Sequence, residues 1–184
     1  MLFAAVDLIR SELNAFGVTA ELGNIGEIVS SSGTNHGANS DVIVSLINIE
    51  ENRVSRDPQN FLKKDNGIVF KNPAVHLYLT LLFTSVRHEN GYGIALQNIQ
   101  RVIEFFQSKY VFDHANTTGM DDGIEKLVLD MVSFNMEQLH QLWSMLGGKY
   151  HPSVAYRVRM ITVDSVTDQQ GPVIKEIETY HHLK

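Results

Sequence analysis

The longest apolar stretch of the chain runs from Ala74 to Phe83, and the alternation within it limits what the chain can fold into. Its apolar positions Val75, Leu77, Leu79, Leu81 and Phe83 alternate with His76, Tyr78, Thr80 and Thr84. Side chains of a strand point alternately to its two faces, so the pattern predicts a strand over Ala74–Val86 with one core face and one amphipathic face. The stretch falls well short of the ~18 residues that a membrane-spanning helix needs.

Further strands are predicted where β-branched and apolar residues cluster. Val42–Ile49 is apolar on both alternating faces, which is typical of a central strand covered on both sides. Ile124–Phe134 predicts another strand, and Ile25–Val29 an additional short one. Val154–Asp164 alternates so that Arg157 and Arg159 face away from Tyr156.

Three segments repeat apolar residues at helical spacing. The first, Leu2–Phe16, ends at Gly17, and the second covers Gly93–Gln107. The third begins at Asn135, which forms a capping box with Gln138, and ends at the Gly147-Gly148 pair. Its apolar stripe comprises Met136, Leu139, Leu142, Trp143 and Leu146.

In chain order these segments predict one α+β domain, with a mixed, mainly antiparallel β-sheet flanked by about three α-helices. The domain is placed at residues 1–166, and residues 167–184 form a tail. The tail contains VIKEIETY, which could add an edge strand to this subunit or to a neighbouring one.

Two polar segments separate the predicted elements. Ser30–Ser40 is low in complexity and is predicted to be a mobile loop. Asn52–Gly67 is longer than an ordinary connection, and is either a functional arm or a floppy loop. Its basic residues Arg53, Arg56, Lys63 and Lys64 are candidate contacts with another protein.

Composition excludes several classes of function. The chain has no cysteine, which rules out disulfides, thiolate metal sites and cysteine nucleophiles. Its net charge is −6 and its basic residues are scattered, which disfavours a nucleic-acid-binding protein and favours protein partners. No basic leader opens the sequence, so no secretory signal is expected, and neither is insertion into a membrane.

No motif indicates catalysis, a cofactor or a metal. The eight histidines lack paired spacing, and no G-x-S-x-G motif occurs. Asp121-Asp122 lies in a turn-forming run, where adjacent carboxylates need not share a substrate. The alternative of a small soluble hydrolase, using His76 or His114 with Asp113, stays open because nothing in the sequence contradicts it.

Four residues in the second half of the chain are candidate interface residues. Trp143 and Tyr150 offer the large amphipathic area that is enriched at interfaces, although a Trp at helical spacing is more often a core residue. Arg157 and Arg159 share one strand face and suit an acidic protein surface or an ion pair at a sheet edge.

Five segments, in order between Met1 and Asp164, together resemble one protein family. They are LGNIGEI (Leu22–Ile28), VSLINIEEN (Val44–Asn52), KNPAVHLYLTLLF (Lys71–Phe83), ALQNIQRVIEFFQSKYVF (Ala95–Phe112) and LHQLWSMLGGKYHPSVAYRVRMITVD (Leu139–Asp164). The family is that of the cap or tail-terminator proteins of extracellular contractile injection systems, such as the antifeeding prophage and related virulence-cassette particles.

The resemblance implies a tail-terminator fold and a structural, non-enzymatic role. It implies a homo-oligomer, expected to be a hexameric ring, that binds the last layer of the inner tube protein and the last layer of the sheath protein. Such a ring ends polymerisation because it satisfies the growing end without regenerating it. Assembly is expected in the cytoplasm, within a particle that is released from the cell. A baseplate or tube-end adaptor of the same particle is the alternative.

Overall fold

The computed structural model describes residues 1–30, 40–52, 61–64, 67–70, 76–87, 91–162 and 169–170. The helices in these residues are α1 (Leu2–Phe16), α2 (Ile25–Ser30), α3 (Tyr92–Ser108) and α4 (Met136–Met145). The strands are β1 (Ala20–Leu22), β2 (Val42–Glu51), β3 (Phe61–Lys64), β4 (Gly67–Phe70), β5 (Leu77–Thr84), β6 (Val111–Asp113), β7 (Ile124–Val132), β8 (Ser153–Thr162) and β9 (Gln169–Gln170).

Six strands form the main sheet in the order β1-β2-β5-β8-β7-β6. Only β1 and β2 run parallel, and every other neighbouring pair is antiparallel. The strands β3, β4 and β9 form a separate sheet. The predicted class, an α+β domain with a mixed and mainly antiparallel sheet, is therefore confirmed.

One face of the main sheet packs against α1 and α3 around aromatic rings. The ring centroid of Phe106 lies 5.1 Å from that of Phe83 and 4.6 Å from that of Tyr156. From α1, Ile9 and Leu13 reach the same cluster, and both are fully buried. Their spacing of four residues places them on one side of the helix, as the sequence pattern predicted.

The ends of α1 and the position of α3 also agree with the sequence. Gly17 ends α1 with φ 94°, in the left-handed region that favours glycine, and its N–H donates to the Asn14 carbonyl at 3.0 Å. The helix predicted over Gly93–Gln107 is α3, which is one residue longer at each end.

The opposite face of the main sheet is covered by α2 and α4 at one end only. A second, smaller apolar cluster lies there, in which Ile25 and Trp143 of the helices pack on Ile43, Leu82 and Ala155 of the strands. The other end of this face is more polar. We call the two parts the covered end and the open end.

The prediction of a strand at Ile25–Val29 is wrong, because this segment belongs to the helix α2. Asn24 precedes the helix, and its side-chain oxygen accepts the Gly26 N–H at 3.1 Å, as an N-cap residue does. Ile25 and Val29, four residues apart, are both buried in the second cluster. This spacing is helical, and the sequence interpretation overlooked it.

The predicted faces of β5 and β2 need correction. On β5 both faces are buried from Leu79 onward, because α2 and α4 cover part of the face that was predicted to be amphipathic. On β2 only Val42–Ser45 is buried, and the rest is half-buried or exposed. The short β1 pairs only with Val42, Ile43 and Val44, so β2 is not a central strand covered along its length.

The long polar excursion Asn52–Gly67 is part hairpin: Phe61–Lys64 pairs with Gly67–Phe70, and residues 53–60 and 65–66 lie outside the described residues. Of the predicted mobile loop Ser30–Ser40, residues 31–39 also lie outside them. In the tail, β9 pairs antiparallel with β4, whereas the VIKEIETY segment at 173–180 is not described. The division at residues 166 and 167 stays a prediction.

Candidate protein interface

The four basic residues of the excursion cannot be placed at a site. Lys63 and Lys64 lie on β3 of the separate sheet, where Lys63 is opposite Ile68 and Lys64 opposite Gly67. Arg53 and Arg56 lie outside the described residues. As contacts with a partner, all four stay predictions.

The other four candidates lie on the same face of the main sheet but in two separate clefts. Trp143 and Tyr150 line a cleft beside α4, at the covered end. Arg157 and Arg159 line a cleft on β8, at the open end. The members of each pair line the same cleft, whereas the two pairs do not form one site.

The ends of α4 position the first cleft. The Asn135 side chain accepts the Gln138 N–H at 2.8 Å, and the Gln138 side chain accepts the Asn135 N–H at 3.0 Å, so the predicted capping box is confirmed. After α4, Gly147 and Gly148 take φ values of 112° and 77°, and the Gly148 N–H donates to the Trp143 carbonyl at 2.7 Å. These glycines turn the chain back towards α4.

Trp143 is a core residue and Tyr150 covers it. The Trp143 side chain is only 4% exposed, whereas Tyr150 is 57% exposed. Their rings meet edge to face, with centroids 5.7 Å apart and planes at 70°. The Trp143 Nε1–H is buried and has no hydrogen-bond partner among the described residues. Tyr150 is therefore the member of this pair that another protein can reach.

The cleft beside α4 has a volume of about 280 Å³ and is lined by Met136, Leu139, His140, Trp143, Ser144, Gly148 and Tyr150. Met136 was predicted to lie on the apolar stripe of this helix, but it is 82% exposed. It is the first residue of α4. The cleft consequently has a mobile, polarisable side chain at its rim, as promiscuous binding surfaces often have.

A further cleft between α2, β2 and α4 was not anticipated from the sequence. It measures about 410 Å³, and its lining includes Leu46 and Met145. Met145 is 71% exposed. It follows Met136 by about two and a half helical turns, which places the two methionines on opposite sides of α4. The sequence contained a signal for this exposure. Two residues half a turn apart cannot both face one core, so at least one of the two methionines had to lie on the surface.

At the open end, the β-ladder arranges the arginines among polar neighbours. Arg157 lies between Thr80 of β5 and Asp130 of β7, and Arg159 lies directly opposite Tyr78. Both arginines are exposed, whereas Tyr156, which precedes Arg157 in the chain, is buried on the other face. The prediction that Arg157 and Arg159 face away from Tyr156 is therefore confirmed. The aromatic ring beside Arg157 is that of Tyr78. The Arg157 guanidinium carbon lies 5.5 Å from the Tyr78 ring centroid.

Two residues of the hydrolase alternative, Asp113 and His114, are hydrogen-bonded to the backbone. The Asp113 carboxylate accepts the N–H groups of Ala115 and Asn116, each at 3.0 Å, which is an Asx-type turn. His114 Nε2 is 2.9 Å from the Ile124 carbonyl oxygen. Since this carboxylate bonds its own turn and this imidazole bonds the backbone, the pair is not arranged as a base and its orienting group.

The described residues show neither a metal-binding cluster nor a membrane-spanning helix. These residues contain no group of three or more His, Asp or Glu side chains that could hold a metal ion. None of their helices is both long and apolar enough to cross a membrane.

Burial perturbs one tyrosine of the core. Desolvation raises the pKa of Tyr156 from 10.0 to about 12, because burial disfavours the charged phenolate. Tyr156 lies in the aromatic cluster with Phe83 and Phe106, beneath α3. Its perturbed pKa consequently reflects packing rather than a catalytic pocket.

A family model matches most of the chain. The model of the Pvc16 N-terminal domain matches residues 5–176. No curated protein matches the chain.

Two solved structures share the fold. The sheath/tube terminator of a PVC extracellular contractile injection system, in its extended state, aligns with a TM-score of 0.63 and 15% identity over 100% of this chain and 64% of that chain. The tube terminating cap of the anti-feeding prophage aligns with a TM-score of 0.60 and 16% identity over 97% of this chain and 59% of that chain. This chain therefore spans less than two thirds of the length of either protein. The resemblance seen in the sequence is confirmed for the family and for the fold.

Proposed function

Because this chain belongs to the Pvc16 N-terminal domain family, we propose that it is a structural terminator of a contractile injection particle. In this role it binds the distal end of the inner tube and the last layer of the sheath, and so ends polymerisation. The observation that carries the proposal is the fold: one domain, described from its first helix to β8, aligns with two tube terminators along almost its entire length.

A terminator must have two different surfaces, one that binds the growing end of the tube and one that does not accept a further layer. A stacked tube exposes at its growing end a surface that the next layer normally covers and then regenerates. A ring that covers this surface, and presents a different surface outward, stops growth. A closed ring of identical subunits also needs two different, complementary patches on each subunit, one for each neighbour in the ring. We propose that the ring is a hexamer.

The described surface offers candidates for these patches on both sides of the main sheet. On the covered end, Met136, Met145 and Tyr150 are more than half exposed. Beyond the other face, Phe3 of α1 and Tyr92 of α3 are 71% and 59% exposed. Exposed Met and aromatic residues are enriched at the centres of protein interfaces. Having such residues on opposite sides of one sheet suits a subunit that contacts a neighbour on each side.

A terminator works through surfaces and requires no reactive group. The carboxylate of Asp113 bonds its own turn, and the ring of His114 bonds the backbone of β7. We therefore propose a non-enzymatic role without a cofactor, in a particle that assembles inside the cell and is released from it.

The proposal is tested by electron microscopy of particles from cells that lack this chain. We expect tubes or sheaths of uncontrolled length, or particles that never mature, and restoration of normal length when the chain is supplied again. A Met136→Glu/Met145→Glu variant should restore length poorly, whereas Glu137→Gln on the exposed side of the same helix is the matched control. Normal particle length without the chain would contradict the proposal. Tubes that lack a baseplate would instead favour the tube-end adaptor.

A further inference from the structure

Two guanidinium groups at the open end are uncompensated. Elsewhere in the described residues each arginine donates to a protein oxygen: Arg10 to Asp7 at 2.7 Å, Arg87 to Asp41 at 2.9 Å and Arg101 to the Gly17 carbonyl at 2.6 Å. Within the same residues, neither Arg157 nor Arg159 forms an ion pair or donates a hydrogen bond to protein. These two are also neighbours on one strand face, where like charges repel.

The sheet holds both groups in a defined geometry. They are two residues apart on β8, and hence roughly 6.8 Å apart along the strand. Tyr78 contacts Arg157 through its ring face, at 5.5 Å from the guanidinium carbon. A guanidinium that stacks on an aromatic ring keeps its in-plane N–H donors free for a carboxylate. The arrangement is therefore pre-organised for donation out of the sheet.

The cleft around these groups has room for a partner's side chains. Its volume is about 370 Å³, and it is lined by Tyr78, Asp130, Met131, Val132, Ser133, Arg157 and Arg159. Asp130 is the single carboxylate in this lining, and in the part of the chain that is described it pairs with neither arginine. The lining thus carries two positive charges and one negative charge, within a chain whose net charge is −6.

We propose that this cleft receives a carboxylate-bearing segment of a neighbouring protein subunit, whose acidic side chains accept hydrogen bonds from Arg157 and Arg159. Charge complementarity identifies the occupant, because carboxylates match the guanidinium fork and would neutralise the repulsion between the two groups. Val132, which is half-buried and lies opposite Ala155 on this face, gives the cleft an apolar contact for the rest of that segment. A nucleic acid is disfavoured, since its affinity grows with the number of phosphates neutralised and the cleft offers only two cations.

This inference deepens the proposed function by giving the chemistry of one contact, and it rests on that function only for the identity of the neighbour. Its first test uses the isolated chain. The probe is an acetylated pentapeptide with glutamates at its second and fourth positions, titrated while amide chemical shifts are followed. We expect shifts at residues of β5, β7 and β8, and at least tenfold weaker binding by the Arg157→Ser/Arg159→Ser variant.

Matched variants and probes separate charge from geometry. The Arg157→Lys/Arg159→Lys variant keeps the charge but loses the planar fork, so it should bind with intermediate affinity. Lys149→Ser removes an exposed cation after α4 and should leave binding unchanged. Equal affinity for the glutamine version of the peptide would overturn the proposal. Tighter binding of a short single-stranded oligonucleotide, lost in the serine variant, would overturn it in favour of a nucleic acid.

A second test identifies the neighbour in assembled particles. Because the chain has no cysteine, Ser133→Cys at the exposed rim of the cleft creates a unique attachment point for a cross-linker. Ser144→Cys on α4 is the matched control at the other cleft. We expect Ser133→Cys to cross-link to a segment that contains at least two Asp or Glu residues, and a segment without carboxylates would contradict the proposal. If particles never contain the chain, the proposed function fails, and the peptide titration alone decides this inference.

Discussion

The two faces of the main sheet are built from the same strands but for different purposes. On β8, Tyr156, Val158 and Met160 are 4%, 0% and 2% exposed beneath α1 and α3, whereas Arg157 and Arg159 between them are exposed on the other face. The first face carries dense aromatic packing. The second is covered by α2 and α4 at one end and is open and charged at the other. One strand thus places its even-numbered side chains in the core and its odd-numbered arginines on the exposed face, where we propose that they bind a partner. The following changes test that division.

The largest effect is expected from the aromatic core. Phe83→Ala should lower the free energy of unfolding by about 3–5 kcal/mol, because it removes a fully buried ring and leaves a cavity. Phe83 is 0% exposed, and its ring centroid lies 5.1 Å from that of Phe106 and 5.8 Å from that of Tyr156. The measurement is denaturant unfolding followed by circular dichroism. Tyr78→Ala on the same strand but at the open end is the control and should cost much less, so equal losses would break the comparison.

The next effect is a loss of stability in alkali. The folded-state pKa of Tyr156 is raised to about 12, above the unfolded value of 10.0. The neutral phenol is therefore favoured by folding, so its contribution is fully present below pH 10 and is lost as the pH rises towards 12. Each unit of separation between the two pKa values corresponds to about 1.4 kcal/mol.

Unfolding free energies measured between pH 9 and pH 12 check this expectation. Tyr156→Phe should flatten the decline over this range, whereas Tyr150→Phe, at a residue that is 57% exposed, should not. A decline that is the same in both variants would show that Tyr156 is not the group responsible.

Sequence reasoning succeeded where local patterns and tertiary packing agree. The limits of α1 and α4 follow from Gly17 and from the Asn135 capping box, and the alternation of β8 correctly separated Arg157 and Arg159 from Tyr156. These features depend on residues close together in the chain, and such short-range rules are the ones that a single sequence carries.

Sequence reasoning failed where contacts between residues far apart in the chain decide the local structure. The helix α2 was missed because Ile25–Val29 shows its helical spacing only once, and the residues that bury it lie on β2, β5 and α4. The short strands β1 and β6, of three residues each, depend on pairing with β2 and β7 rather than on their own pattern. The cleft at Met145 was missed for a similar reason, since it exists only where α2, β2 and α4 meet.

A smaller effect is expected at the covered end, from the cap of α4. Asn135→Ala should cost about 1 kcal/mol of unfolding free energy, because the N–H of Gln138 loses its acceptor at the first turn. The present distance from that N–H to the Asn135 side chain is 2.8 Å. Denaturant unfolding measures the loss, and Gln141→Ala later in the same helix is the control. A loss as large as that of Phe83→Ala would mean that α4 is as critical to the fold as the aromatic face.

The smallest effect is expected at the open end. Arg157→Ser/Arg159→Ser should change the unfolding free energy by less than about 0.5 kcal/mol, because both side chains are exposed and contribute no ion pair in the described structure. Removing two neighbouring like charges relieves their repulsion, which partly offsets the lost contact with Tyr78. Arg87→Ser is the informative control, since Arg87 pairs with Asp41 at 2.9 Å and both are only about a quarter exposed. If the double variant loses more unfolding free energy than Arg87→Ser does, then Arg157 and Arg159 stabilise the fold. The division between a stabilising face and a recognition face would then fail on β8, the strand where the two faces differ most.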